Sequence, residues 1–191
     1  MYDIAAASVQ RFRAILDDFF SHNLQEVVDA AETMARALTA GKKIFTFGNG
    51  GSAADAQHLA HELVNRFNLE RPSLPALAIT SDTTLITAIA NDYSFDDIFS
   101  KQLKGLGHEG DVALGISTSG TSPNVLKGLS VARSRAMVTI GLTGKGGGDM
   151  GGLCDYLIQV PSEETARIQE VHSLVIHLFC ELIDNSLFGR A

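Results

Sequence analysis

The chain has 191 residues, 45% of them hydrophobic and 19% charged, enough apolar material for one domain with a buried core. A net charge of −7, with the basic residues scattered, argues against a nucleic-acid-binding surface, and two cysteines outside any paired motif, Cys154 and Cys180, argue against a disulfide framework or a zinc knuckle. The charged fraction lies below the usual quarter, which points to surface buried between subunits. The acidic balance still permits an anionic small substrate, because a few local donors suffice for one. The opening stretch MYDIAAASVQRFRAIL has no basic start and no uninterrupted apolar run, so it does not read as a signal peptide. No run approaches the ~20 apolar residues of a membrane helix, and the expected compartment is the cytoplasm.

Apolar residues at helical spacing mark 3–20 (Val9, Phe12, Ile15, Leu16, Phe19) and 24–40 (Leu24, Val27, Val28, Ala31, Met34, Leu38). Ser21 and Asn23 punctuate between them, which predicts a pair of helices, and Gly41 ends the second. A regular alternation follows. Strands are expected at 42–47, 74–80, 111–117, 136–143 and 155–160. Helices are expected at 52–67, across TTLITAIAND and FDDIFSKQLKGL, at 122–135 with Pro123 in the first turn, and at 166–188. Alternating strands and helices imply a parallel sheet covered on both faces. Residues 1–191 therefore read as one α/β domain, with a helical pair over 1–40 and a core over 41–191. The terminal helices are apolar enough to predict an oligomer interface.

Ligands of parallel sheets bind beyond the carboxyl ends of the strands, and three turns lie there: GNGGS (48–52), STSGTS (117–122) and TGKGGGDMGG (143–152). STSGTS sets the hydroxyls of Ser117, Thr118, Ser119, Thr121 and Ser122 around Gly120, just before a helix N-terminus. That placement suits a phosphate monoester. No lysine follows in P-loop order, and the plain alternative is a Ser/Thr-rich turn with Ser122 as N-cap. GNGGSA also fits a relaxed dinucleotide fingerprint, but the acidic residue expected about 20 positions on is missing. The third turn is most simply a loop.

The polar residues of two helices complete the chemistry. His58 and Glu62, at i and i+4, share a face of their helix, with His61 pointing about 100° away from Glu62. Gln169 and His177 are eight apart, two turns and about 80° on, while His172 stands about 140° from His177. Each feature alone has an ordinary reading, as a surface hydrogen bond or a core histidine. Together His58, Glu62, Gln169 and His177 offer donors for a divalent metal such as zinc, or a carboxylate and an imidazole for proton transfer. With a phosphate loop nearby, these groups suit ketose–aldose isomerisation through an enediol.

GNGGSAADAQH, RPSLPALAI, ANDYSFDDIFSKQ, GDVALGISTSGTSPNV, LTGKGGGDM and ARIQEVHSLVIH, in that order over residues 40–188, closely resemble the phosphoheptose isomerases, which are sugar-isomerase (SIS) domain proteins. The resemblance implies an SIS-type three-layer α/β/α sandwich with a central parallel sheet. It implies a cytoplasmic homotetramer with zinc at the active site and no nucleotide cofactor. The implied reaction converts D-sedoheptulose 7-phosphate to D-glycero-D-manno-heptose 7-phosphate, the first step toward lipopolysaccharide heptose. The matching metal positions are His58, Glu62, Gln169 and His177, with Glu62 and His177 as catalytic base and acid. The substrate positions are Asn49, Gly50, Gly51, Ser52, Arg66, Asn91, Asp92, Ser117, Thr118, Ser119, Ser122 and Gln169, with Arg66 expected four residues after Glu62 on the same helix. The chain also resembles a non-catalytic relative that binds a replication-initiator protein. That adaptor lacks the carboxylate and the last histidine, whereas this chain keeps Glu62 and His177, which favours the enzyme.

Overall fold

Residues 1–189 are described by a computed structural model. The chain opens with α1 (Tyr2–Thr39), then alternates β1 (Ile44–Gly48), α2 (Gly51–Val64), β2 (Ala76–Ala78), α3 (Thr83–Asp92), α4 (Ile98–Leu106), β3 (Val112–Ser117), α5 (Pro123–Ser134), β4 (Val138–Thr143), β5 (Tyr156–Gln159) and α6 (Thr165–Phe188). Short 3₁₀ turns lead into α4 and follow β4.

α1 is one helix of 38 residues, not the expected pair. The polar residues at the supposed break do not leave the helix. The Ser21 hydroxyl donates to the Asp18 carbonyl at 2.8 Å, and the Asn23 amide donates to the Phe19 carbonyl at 3.0 Å. Such back-bonds let polar side chains sit inside a helix, and no glycine or proline interrupts residues 2–39. Gly41, at φ +73°, does end it. Its N–H bonds the Leu38 carbonyl and the Lys42 N–H bonds the Ala37 carbonyl, the paired bonds of a Schellman stop.

The five strands are all parallel, in the order β2-β1-β3-β4-β5. Their side chains alternate between two cores. Ile44, Val112, Leu114, Ile140 and Ile158 face one layer with Val27, Met34, Leu59, Leu63, Val175 and Phe179 of α1, α2 and α6. Phe45, Phe47 and Ala113 face the other, with Ile89, Phe99, Leu103, Val125 and Leu129 of α3, α4 and α5. The result is the expected three-layer sandwich.

Against the expectation that no run approaches a membrane helix, α6 is long and apolar enough to cross one by length and composition. Its apolar face is instead explained by packing: Ile168, Val171, Val175, Ile176, Phe179 and Ile183 are buried against α1, α2 and the sheet.

Strand order reverses between β1 and β3, and the register pairs Gly48 with Ile116 and Ser117 with Thr143. The three glycine- and hydroxyl-rich turns therefore leave the sheet at one level, around the switch point where open α/β sheets bind ligands.

Candidate active site at the switch point and the α2–α6 face

At the end of β1 the chain turns through Gly50, at φ +57°, into α2, whose N-terminus carries no side-chain cap. Gly51 has no room for a side chain, because a Cβ there would collide with the Gln169 amide. Ser52 is buried. Asn49 is not free. It exchanges two 2.9 Å hydrogen bonds with Asn124 at the start of α5, locking the β1 turn to the β3 turn. Nothing in the spacing of the sequence singled out Asn124.

In the hydroxyl turn, Ser117 Oγ lies 2.9 Å from Ser122 Oγ and 3.4 Å from Ser119 Oγ, and Thr121 bonds Ser119 through both its N–H and its hydroxyl. Ser122 occupies the N-cap position of α5, yet its hydroxyl makes no capping bond. The hydroxyls thus cluster beside the uncapped N-terminus of α5, a place whose free amides suit an anion. The third turn braces this one. Gly144 N–H donates to the Thr118 carbonyl at 3.1 Å and Asp149 N–H to the Gly120 carbonyl at 3.0 Å.

α2 and α6 run side by side from this edge and meet in three rungs. Gly51 backs Gln169, Ser173 Oγ donates to Asp55 Oδ1 at 3.0 Å, and His58 Nε2 lies 3.2 Å from His177 Nε2. Gly51, Asp55, Gln169 and Ser173 line a cavity of 370 Å³. Burial pushes the Asp55 carboxyl up, opposed by the Ser173 hydrogen bond and by His58. At the third rung Glu62 Oε1 stands 3.5 Å from His58 Nε2 and 3.2 Å from His61 Nε2. The His61 ring is therefore not turned away as expected. It stacks on His58 at 5.2 Å and 9°, while His177 meets His58 edge-on at 4.9 Å. A 100° step separates adjacent Cα–Cβ bonds, but two further rotatable bonds bring the ring back across.

The structure gathers His58, Glu62 and His177. Gln169 lies two turns up α6, about 12 Å along the axis from His177. Arg66 falls outside the helix, because α2 stops at Val64. Arg71 ends it there, donating through its guanidinium to the carbonyls of Glu62 at 2.9 Å and Leu63 at 2.7 Å. Arg66 instead faces Glu70 at 3.7 Å. Asn91 and Asp92 stand exposed at the end of α3, hydrogen-bonded to each other at 2.9 Å. His172 is buried and separate, bonded to the Thr143 carbonyl. Burial, with help from Asp155, pushes the Cys154 thiol up to about 12. Burial, then Glu62 and Asp184, does the same at Cys180.

A 2-1-3-4-5 parallel sheet with a hydroxyl turn at its switch point and a carboxylate–imidazole group on the flanking helices defines a phosphosugar-handling α/β domain, and the family model described as SIS domain matches residues 9–144. A phosphoheptose isomerase of Nitratidesulfovibrio vulgaris is 58% identical over 172 residues, covering 90% of this chain and 83% of that protein. The solved phosphoheptose isomerase of Neisseria gonorrhoeae superposes with a TM-score of 0.91 at 43% identity, covering 96% of this chain and 98% of the other. That of Francisella tularensis gives 0.93 at 37%, with the same coverage. The chain belongs to the phosphoheptose isomerase family of SIS-domain proteins.

Proposed function

We propose that this chain interconverts D-sedoheptulose 7-phosphate and D-glycero-D-manno-heptose 7-phosphate, in the cytoplasm and as a homotetramer, as the first step toward lipopolysaccharide heptose. The observation that carries the chemistry is the convergence of Glu62, His58 and His177 where α2 meets α6. The adaptor reading finds no support, since the relatives named above are all isomerases.

The phosphate docks on Ser117, Thr118, Ser119 and Ser122 at the α5 N-terminus. Asn49, Gly50, Gly51 and Ser52 approach the sugar with backbone and hydroxyl groups, and Gln169, Arg66, Asn91 and Asp92 supply further polar contacts. His58 lies seven residues along α2 from Gly51, about 10 Å down the axis. Phosphate and reacting carbons thus engage different ends of the site, which suits an elongated sugar. Both imidazole contacts of Glu62 use Oε1. Oε2 is left to take the proton from C1 of the ketose, and His177 returns a proton at C2 or moves the hydroxyl proton. The Glu62 carboxylate and the imidazole nitrogens of His58 and His177, with the Gln169 amide two turns away on α6, are donor types that suit zinc. When bound, the ion would polarise the carbonyl and favour the enediolate.

The test is a coupled turnover assay with sedoheptulose 7-phosphate before chelation, after it, and after zinc is restored. Turnover that falls and returns supports enzyme and metal together. Turnover indifferent to chelation removes the metal, and no turnover in the folded, metal-loaded protein overturns the reading.

A further inference from the structure

We infer that His61 is itself a ligand of the divalent cation, so that α2 alone supplies three donors, His58, His61 and Glu62. This rests on the metal reading above and changes who holds the ion. The pattern is a His-x-x-His-Glu run within a single helical turn. The ligand atoms of His58, His61 and Glu62 all lie within 4.8 Å of one another.

The spacing fits an ion. Zinc bonds at about 2.0–2.1 Å in a tetrahedron place neighbouring donor atoms about 3.3–3.4 Å apart. The separations here are 3.2 Å for His61 Nε2 to Glu62 Oε1, 3.5 Å for His58 Nε2 to Glu62 Oε1 and 3.2 Å for His58 Nε2 to His177 Nε2. An imidazole is also a better zinc ligand than the neutral amide of Gln169. Glu62 is only 18% exposed at its side chain, whereas His61 is 60% exposed. His61 therefore stands on the solvent side of the group, where an ion enters.

The experiment uses the full chain, stripped by chelation and titrated with Co²⁺ and Zn²⁺ against a chromophoric chelator. Wild type, His61→Ala and His61→Gln are compared, with His22→Ala on α1 as a control for adventitious imidazole binding. The expected result is that both His61 substitutions weaken affinity by at least about tenfold and alter the visible Co²⁺ spectrum, with helical content and the His22→Ala affinity unchanged. Wild-type affinity and spectrum in the His61 variants would overturn the inference and leave the ion with His58, Glu62 and His177. No binding by the wild type would overturn both the inference and the metal reading.

Discussion

His172 occupies α6 five residues before His177 and has the opposite character. Its Nε2–H donates to the Thr143 carbonyl at 3.2 Å, its Nδ1 has no partner, and burial pushes its pKa down to about 4. The unfolded chain takes up a proton near 6.5 that the folded chain refuses, so this group costs stability as pH falls from about 6.5 toward 4 and nothing above 7. Urea unfolding should show about 2 kcal/mol lost between pH 7 and pH 5, and His172→Gln should flatten that slope. At Glu62 the expectation concerns rate. Glu62→Gln should lower kcat by about 10²–10⁴-fold with the fold intact by circular dichroism, and near-native turnover would remove it as the base. Ser119→Ala should raise KM by roughly tenfold or more through one lost charge-assisted bond, with kcat little changed. Steady-state kinetics on both variants separates the two roles. The donor types of these residues were legible in the sequence because chemistry restricts which side chains can do such work. Asn124 and the swing of His61 were not, since an asparagine pair across 75 residues and a side-chain rotation leave no periodic trace.

Helix ends carry the next scale of organisation. Strand–helix alternation and Gly41 were readable from period and punctuation, but the α1 break was not, because serine and asparagine serve turns and helix back-bonds equally well. The end of α2 depends on a long-range contact. Arg71, 1% exposed at its side chain, caps α2 and pairs through Nε with Asp184 Oδ1 of α6 at 2.8 Å, the latter 3% exposed. That one guanidinium fixes the C-terminal ends of both helices that bear the site. Arg71→Ala should cost about 3–5 kcal/mol, since it strands a buried carboxylate. Arg71→Met with Asp184→Leu should recover much of that in denaturant titrations. The hydroxyl turn depends on Gly120, at φ +68° with its Cβ direction blocked by the Gly147 carbonyl. Gly120→Ala should destabilise by at least about 1 kcal/mol, seen as a Tm lower by about 2–4 °C or more.

Across the whole molecule, apolar surface remains after the sandwich is built. Tyr2, Ile4, Val9 and Leu24 of α1 are exposed. A 500 Å³ groove lined by Phe67, Leu69, Leu178 and Leu182 flanks the end of α6. We expect these faces to meet other copies of the chain. Sedimentation should report an assembly, with Leu182→Asp shifting it toward the single chain, whereas a monodisperse wild-type monomer would defeat the tetramer proposal. The arrangement of the sheet was legible as a layer count, because buried strands must be covered on both faces. Which strands flank the switch point was not, since strand order is a global property with no local signature.

α6 covers α1 and α2 and carries Gln169 and His177, yet it begins more than a hundred residues after His58 and Glu62. A chain stopped before it would expose the apolar faces that α6 hides and would lack His177. Burial of those apolar faces and completion of the His58–Glu62–His177 cluster therefore depend on one and the same segment of the chain.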